Sequence, residues 1–156
     1  MKVHVLEQEQ LLPVSLEAAW EFFSTPRNLD AITPPDAGFR LLTGSDEPLY
    51  DGQILTYRIR LAPLVEVSWV TEIKSVASGQ SFIDEQRFGP FKFWHHRHVM
   101  EAVEGGTRVH DRVHYAMPFG FIGEIVHALS IRRRLEAIFR YRREVLAKEF
   151  GAKQRS

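Results

Sequence analysis

The chain has 156 residues, enough for one domain with a sizeable core, and its 44% hydrophobic and 26% charged content is ordinary for a globular protein. Twenty basic and twenty acidic residues give a formal net charge of zero, so charge gives no reason to expect nucleic acid or an anionic membrane as a partner. The absence of cysteine excludes disulfides and thiolate metal ligands. No apolar run approaches the ~18 residues of a membrane span, so a cytoplasmic protein is expected.

Patterning along the chain predicts a strand, two short helices, about six further strands and a long C-terminal helix. Val3–Leu12 alternates as a strand does, and Ser15 is a suitable N-cap for the helical segment LEAAWEFFS that follows. Pro26 opens a second short helix, PRNLDAI. The later strands are predicted at Phe39–Thr43, Gln53–Leu61, Val65–Val76, Ser81–Phe88, Phe93–Val103 and Thr107–Met117.

The segment Phe121–Phe150 is predicted to be one long helix, because one stripe carries Ile131, Leu135, Ile138, Phe139, Arg142 and Leu146. Consecutive antiparallel strands that curl around a long helix define an α+β, sheet-on-helix fold. We therefore predict a single domain over 1–150 and a polar C-terminal tail over 151–156.

Five of the seven histidines lie on two predicted strands joined by Glu104-Gly105-Gly106-Thr107, a Gly-Gly hairpin signal. If Glu104 faces Thr107, alternation assigns each side chain to one face of the sheet. One face is aromatic and apolar with a few polar groups; it carries Trp94, His96, His98, Met100, Val109, Asp111, Val113, Tyr115 and Met117. The opposite face is dominated by charged and histidine side chains; it carries His95, Arg97, Glu101, Arg108, His110, Arg112 and His114. This asymmetry predicts that the first face is buried or lines a pocket and the second is solvated.

Several motifs resemble those of the START/birch-pollen-allergen-like superfamily of helix-grip proteins, also called SRPBCC or polyketide-cyclase-like. The N-terminal LLPVSLEAAWEFFSTPRNLDAITPP resembles the opening of that family. Gly89-Pro90-Phe91, Trp94-His95-His96, the Gly105-Gly106-Thr107 turn and Asp111-Arg112-Val113 resemble a bacterial ligand-binding branch. The resemblance implies a curved sheet of about seven strands around the C-terminal helix, with a hydrophobic cavity between them. It does not imply one reaction.

His96 and His98 share a face, and such a pair can bind zinc together with a carboxylate such as Asp84 or Asp111. Strand residues two apart are often too splayed for a tight site, so no metal and no other cofactor is predicted. Histidines that line the polar part of a cavity, or that neighbouring carboxylates satisfy, are the favoured interpretations.

The predicted ligand contacts form an apolar wall with a polar end, and they are Tyr57, Trp69, Phe82, Asp84, Gln86, Trp94, His96, His98, Asp111 and Tyr115. Binding of a small hydrophobic or amphipathic molecule is favoured, because the chain lacks a nucleophile motif and a nucleotide cradle. It requires a pocket beside Trp94 and His98. The alternative is a cyclase or dehydratase that uses His96 or His98 with Asp111 as an acid–base pair.

Two further features of the sequence each allow two interpretations. The outer cluster consists of His95, Arg97, His110, Arg112 and His114. One interpretation is a solvated face with cross-strand pairs such as Glu101 with His110. The other is a face that pairs with carboxylates of a second subunit, which would make the protein a homodimer. The segment Phe119-Gly120-Phe121-Ile122-Gly123 fits either a mobile mouth to the cavity or a packed start of the helix.

Overall fold

The computed structural model describes residues 1–43, 47–62 and 64–153. Its strands are β1 His4–Leu12, β2 Arg40–Thr43, β3 Ile54–Ala62, β4 Val65–Ala77, β5 Ser81–Phe88, β6 Phe93–Val103 and β7 Gly106–Ala116. They form one antiparallel sheet in the order β1-β7-β6-β5-β4-β3-β2. The helices are α1 Leu16–Phe23, α2 Asn28–Ala31, α3 Gly120–Val126 and α4 Arg132–Lys153. The predicted α+β helix-grip architecture of about seven strands, two short helices and a long C-terminal helix is confirmed.

The helices cover the face of the sheet on which apolar side chains recur at every second position. Helix α1 begins where Ser15 Oγ accepts a hydrogen bond from the backbone N–H of Ala18, as the N-cap prediction requires. On α4 the buried side chains recur at intervals of about one turn, and they are Leu135, Phe139, Arg142, Leu146 and Phe150. The core therefore lies between this helical face and the inner face of the sheet.

The sequence predicted one regular C-terminal helix. In the structure this helical region contains a wider π turn over His127–Ile131. Ser130 Oγ donates a hydrogen bond to the carbonyl oxygen of Val126 one turn earlier, and this kind of back-bonding bends helices. The helix also continues to Lys153, beyond the predicted end at Phe150. Residues 154–156 of the predicted tail lie outside the described residues.

The predicted register of β6 and β7 was wrong by two residues. The turn residues are Glu104 and Gly105, and Val103 faces Gly106. Gly105 takes the left-handed conformation of the turn at φ +86°, whereas a side chain on Gly106 would collide with the carbonyl oxygen of Leu12. The second glycine thus serves the close approach of β1. Since the slip is an even number of residues, every side chain keeps its predicted face.

The slip changes individual partners on both faces. Asp111 lies directly opposite His98, whereas the predicted register placed it diagonally. Glu101 faces Arg108, and the two side chains are 3.2 Å apart, so the predicted pair of Glu101 with His110 was wrong. Elsewhere on the outer face, Arg112 Nε lies 2.7 Å from Oε1 of Glu7, which belongs to β1.

The segment that leads into α3 is packed at its glycine and exposed at its apolar side chains. A side chain on Gly123 would collide with the carbonyl oxygen of Pro118, so this position is a tight contact. Phe119, Phe121 and Ile122 point largely into solvent. Within the described residues, no helix is both long enough and apolar enough to cross a membrane.

Candidate ligand-binding site

Two adjoining cavities lie between the sheet and the helices. The first, which we call the α1 cavity, has a volume of about 90 Å³ and reaches Phe22, Leu29 and Ile32. The second, the α4 cavity, has a volume of about 170 Å³ and reaches Ile138 and Phe139. Five residues line both cavities and therefore form the wall they share; they are Leu29, Tyr57, Asp84, His96 and Arg142.

Seven of the ten predicted ligand contacts line one or both cavities. Trp69 and Trp94 line the α4 cavity, Phe82 and His98 line the α1 cavity, and Tyr57, Asp84 and His96 line both. The pocket that the binding hypothesis requires beside Trp94 and His98 is therefore present.

The other three predicted contacts line neither cavity. The amide of Gln86 bonds to the backbone of Phe91 and fixes the loop between β5 and β6. Tyr115 is buried among aromatic rings, with its ring centroid 5.8 Å from that of Phe91. Asp111 is buried behind the histidines and contacts the site only through them and through Arg142.

Asp84, His96, His98 and Asp111 form a buried square that we call the His–Asp cluster. Asp84 Oδ2 lies 3.1 Å from His96 Nδ1 and 2.9 Å from His98 Nε2. On the other side, Asp111 Oδ1 lies 2.9 Å from His96 Nε2 and 2.9 Å from His98 Nδ1. The last of these contacts is not aligned as a hydrogen bond, so within the described part of the chain the buried Nδ1 of His98 has no hydrogen-bond partner. Register explains the square, because Asp84 of β5 faces His96 and Asp111 of β7 faces His98.

Opposite charges dominate the electrostatics of the cluster. Burial alone would raise the pKa of Asp84, but the positive charge of His96 and hydrogen bonds from both histidines hold that pKa far below its ordinary value. Burial alone would likewise lower the pKa of His96, yet Asp84 and the hydrogen bond with Asp111 raise it above 6.5. Asp84 is thus a carboxylate, and His96 is stabilised as a cation.

Arg142 is a member of the site that the sequence did not indicate. The sequence placed this arginine on the inward stripe of the C-terminal helix but assigned it no role. Its Nη2 lies 3.4 Å from Asp111 Oδ1 and lowers the pKa of that carboxyl well below the usual range, against the opposing effect of burial. Its Nε is buried and has no hydrogen-bond partner among the described residues. A helical stripe that contains one arginine among apolar residues is a usable signal for such a group.

Three further polar groups of the cavity wall satisfy one another. Thr71 Oγ1 accepts a hydrogen bond from Trp69 Nε1 at 3.1 Å and lies 3.1 Å from the hydroxyl oxygen of Tyr57. Burial raises the pKa of the Tyr57 hydroxyl, and the negative charge of Asp84 raises it further. Tyr57 is therefore a neutral hydroxyl on the wall that the two cavities share.

The architecture is similar to that of several solved structures. Protein CV1439 from Chromobacterium violaceum aligns with a TM-score of 0.71 at 11% identity, over 94% of this chain and 97% of that chain. The di-domain ARO/CYC StfQ from the steffimycin biosynthetic pathway aligns with a TM-score of 0.72 at 14% identity, over 97% of this chain and 51% of that chain. A norcoclaurine synthase from Thalictrum, in complex with a transition state analogue, aligns with a TM-score of 0.64 at 12% identity, over 95% and 96% of the two chains.

Neither a scan of protein-family models nor a search of curated proteins gives a match. Identities this low show the fold alone. The chain has the helix-grip fold, and it shares this fold with StfQ, norcoclaurine synthase and Ara h 8.0201.

Proposed function

We propose that the protein binds one compact, mostly apolar molecule that extends through the α1 and α4 cavities and places an oxygen atom at the wall they share. The observation that carries this proposal is the shared wall, where Asp84, His96 and Arg142 border two mostly apolar cavities. Ligand pockets commonly combine such apolar linings with a few polar groups that fix orientation. Both StfQ and norcoclaurine synthase are named as proteins that act on small molecules, which is in keeping with this use of the fold.

The guanidinium of Arg142 indicates which polar group the ligand carries. This residue borders both cavities and carries a permanent positive charge. A ligand oxygen that reaches the guanidinium gains a charge-assisted hydrogen bond. A carbonyl, carboxylate or sulfonate oxygen meets this requirement.

Fluorescence titration with 1-anilinonaphthalene-8-sulfonate, an aromatic probe with acceptor oxygens, tests the proposal. Ile138→Phe adds bulk inside the α4 cavity, and Ile125→Phe makes the same change on the exposed face of α3. We expect Ile138→Phe to weaken binding about tenfold, because one or two lost methylene-sized contacts correspond to about 1–3 kcal/mol. Ile125→Phe should bind as the unmodified protein does.

Thermal unfolding confirms that both variants are folded before binding is compared. If Ile138→Phe does not fold, Leu29→Phe provides the second test, since Leu29 borders both cavities and belongs to no ion pair described above. Equal affinities for the unmodified protein and a folded cavity variant would contradict binding in these cavities.

Acid–base catalysis is a second candidate, and one contact favours it. His96 borders both cavities while its Nε2 lies 2.9 Å from Asp111 Oδ1, which is the geometry of an imidazole oriented by a carboxylate. Such a group can move a proton at a carbon next to a carbonyl. Exchange of that proton with deuterated solvent, followed by NMR on small aromatic ketones, measures the activity. Catalysed exchange that is lost in His96→Gln and kept in His114→Gln would support an enzyme, and exchange at the solvent rate would leave binding alone.

A further inference from the structure

We propose that Asp84, His96 and His98 form a binding site for one divalent transition-metal ion, with a free coordination position that faces the α1 cavity. Each of these residues offers one ligand atom, and the three atoms lie within 4.8 Å of one another. We assign them as Asp84 Oδ2, His96 Nδ1 and His98 Nε2, because the two nitrogens lie 3.1 Å and 2.9 Å from that oxygen. Two imidazole nitrogens and one carboxylate oxygen are a donor set that zinc and related ions bind.

The structure removes the objection that the sequence raised against a metal. Neighbouring inward residues of a strand often splay apart, but the rings of His96 and His98 have centroids only 3.7 Å apart. Phe82 stacks on His98 at 4.2 Å, and Phe139 lies 5.7 Å from His96 on the other side. The two imidazoles are thus held side by side by aromatic packing from β5 and α4.

The distances between the ligand atoms are close to those of a metal centre. Asp84 Oδ2 lies 2.9 Å and 3.1 Å from the two nitrogens. Tetrahedral coordination with bonds of 2.0–2.2 Å separates ligand atoms by about 3.3 Å. A small shift of the carboxylate, together with a rotation of the two rings that turns both inner lone pairs toward one point, would admit the ion.

A second layer of hydrogen bonds orients His96 and Asp84, and the same carboxylate of Asp111 lies close to His98. The Nε2 of His96 and the Nδ1 of His98, which are the nitrogens turned away from Asp84, each lie 2.9 Å from Asp111 Oδ1. Trp94 Nε1 donates a hydrogen bond of 3.0 Å to the other carboxylate oxygen of Asp84. A carboxylate behind a histidine fixes its proton on the outer nitrogen and leaves the inner lone pair for a metal.

Counting protons favours an ion over an empty cluster. All four ring nitrogens lie within 3.1 Å of a carboxylate oxygen, but two neutral imidazoles carry only two N–H donors. Without an ion there are two alternatives. If both rings are neutral, two ring nitrogens direct lone pairs at carboxylate oxygens; if every ring nitrogen carries a proton, both rings are charged. A divalent ion on the Asp84 side accepts the two inner lone pairs and leaves both protons on the ring nitrogens that lie nearer Asp111. Its charge equals that of the two protons it replaces, so the net charge of the cluster equals that with both rings charged.

The surroundings also indicate an open rather than a closed metal site. All three ligand residues border the α1 cavity, so a fourth ligand can come from a water molecule or from a bound small molecule. Three protein ligands and an open position are the arrangement of catalytic rather than structural zinc sites.

Cobalt binding tests this proposal on the full chain after treatment with a chelator. We expect Co²⁺ to bind at one ion per chain, with the visible absorption bands of a nitrogen- and oxygen-coordinated ion, and Zn²⁺ to displace it. Asp111→Asn leaves the three ligands in place and should weaken affinity by about 10–100-fold, as loss of an outer-layer partner does. His98→Ala should weaken affinity at least as much.

His114→Ala is the matched control, because His114 lies on the outer face of β7 beside His95, away from the cavities. Its affinity should equal that of the unmodified protein. Absence of a visible cobalt spectrum in the unmodified protein would overturn the proposal without any variant. Binding that survives His98→Ala, or that His114→Ala abolishes, would assign the ion to surface histidines and would also overturn it.

Discussion

His98 and Asp111 face each other directly across β6 and β7, and Nδ1 of His98 lies 2.9 Å from Oδ1 of Asp111. The same oxygen also lies 2.9 Å from His96 Nε2 and 3.4 Å from Arg142 Nη2. One buried carboxylate therefore connects two strands of the sheet with the long helix. The strength of this connection depends on Arg142, since it supplies the permanent positive charge.

Replacing Arg142 with methionine should destabilise the protein strongly. The change keeps an apolar stem but leaves Asp111 buried next to fewer positive charges, and loss of one partner of a buried ion pair costs about 3–5 kcal/mol. Urea denaturation measures the free energy of unfolding. Arg140→Met, on the exposed side of the same helix, should change it by no more than about 0.5 kcal/mol.

A double variant separates the loss of charge from the loss of packing. Arg142→Met combined with Asp111→Asn removes both members of the ion pair, so part of the lost stability should return. A double variant as unstable as the sum of the two single variants would contradict the direct coupling of these residues.

Stability of the metal-free protein should pass through a maximum in mildly acidic solution. Asp84 and Asp111 have pKa values below the ordinary 3.8, so their contribution is present above about pH 4 and is lost as the pH falls. His96 has a pKa above 6.5, so its contribution is complete below about pH 6.5 and is lost as the pH rises through the raised pKa. Urea midpoints measured from pH 3 to 9 with a chelator present should therefore be highest between about pH 4 and 6.5.

The predicted fall of the urea midpoint above pH 6.5 can be tested separately with a variant of His96. His96→Gln should flatten it and leave the acidic limb in place, because the carboxylates remain. A midpoint for the unmodified protein that rises between pH 6.5 and 8 would contradict the charge assigned to His96.

Gly123→Ala should destabilise the start of the C-terminal helical region. The added methyl group would collide with the carbonyl oxygen of Pro118 and approach Met117, and overpacking of this kind costs about 1–3 kcal/mol. Gly151→Ala is the matched change near the C-terminal end of α4, where a methyl group meets nothing within 4 Å. It should stabilise the helix by up to about 1 kcal/mol. Equal thermal midpoints for the two variants would show that Gly123 has room for a side chain.

The faces of β6 and β7 could be predicted from the sequence, whereas their exact pairing could not. Alternation assigns a side chain to a face with a period of two, and this survives an even slip. The pairing depends on which glycine the turn uses, and Gly106 is required instead by the nearby carbonyl of Leu12, which is remote in sequence. Contacts between β1 and the hairpin are not visible in the pattern of the hairpin itself.

The sequence predicted the members of the candidate site that lie on strands, but it did not predict the role of the residue that lies on α4. His96, His98 and Asp84 face inward because of their strand positions, and the structure brings all three together. Arg142 could be placed on the inner stripe of α4, but its partner depends on how that helix crosses the sheet. Gln86 was expected in the cavity, but the short loop after β5 uses its amide to satisfy the backbone of Phe91.

Native mass spectrometry of the protein purified from its own host, without denaturation, tests the central claim of a ligand-binding cavity most directly. We expect the unmodified protein and Ile125→Phe to carry the same small molecule, and we expect Ile138→Phe to have lost most of it. The retained mass should match a compact, mostly apolar compound with at least one acceptor oxygen. A protein that carries no small molecule and binds no apolar probe, or a molecule that Ile138→Phe retains in full, would contradict the account.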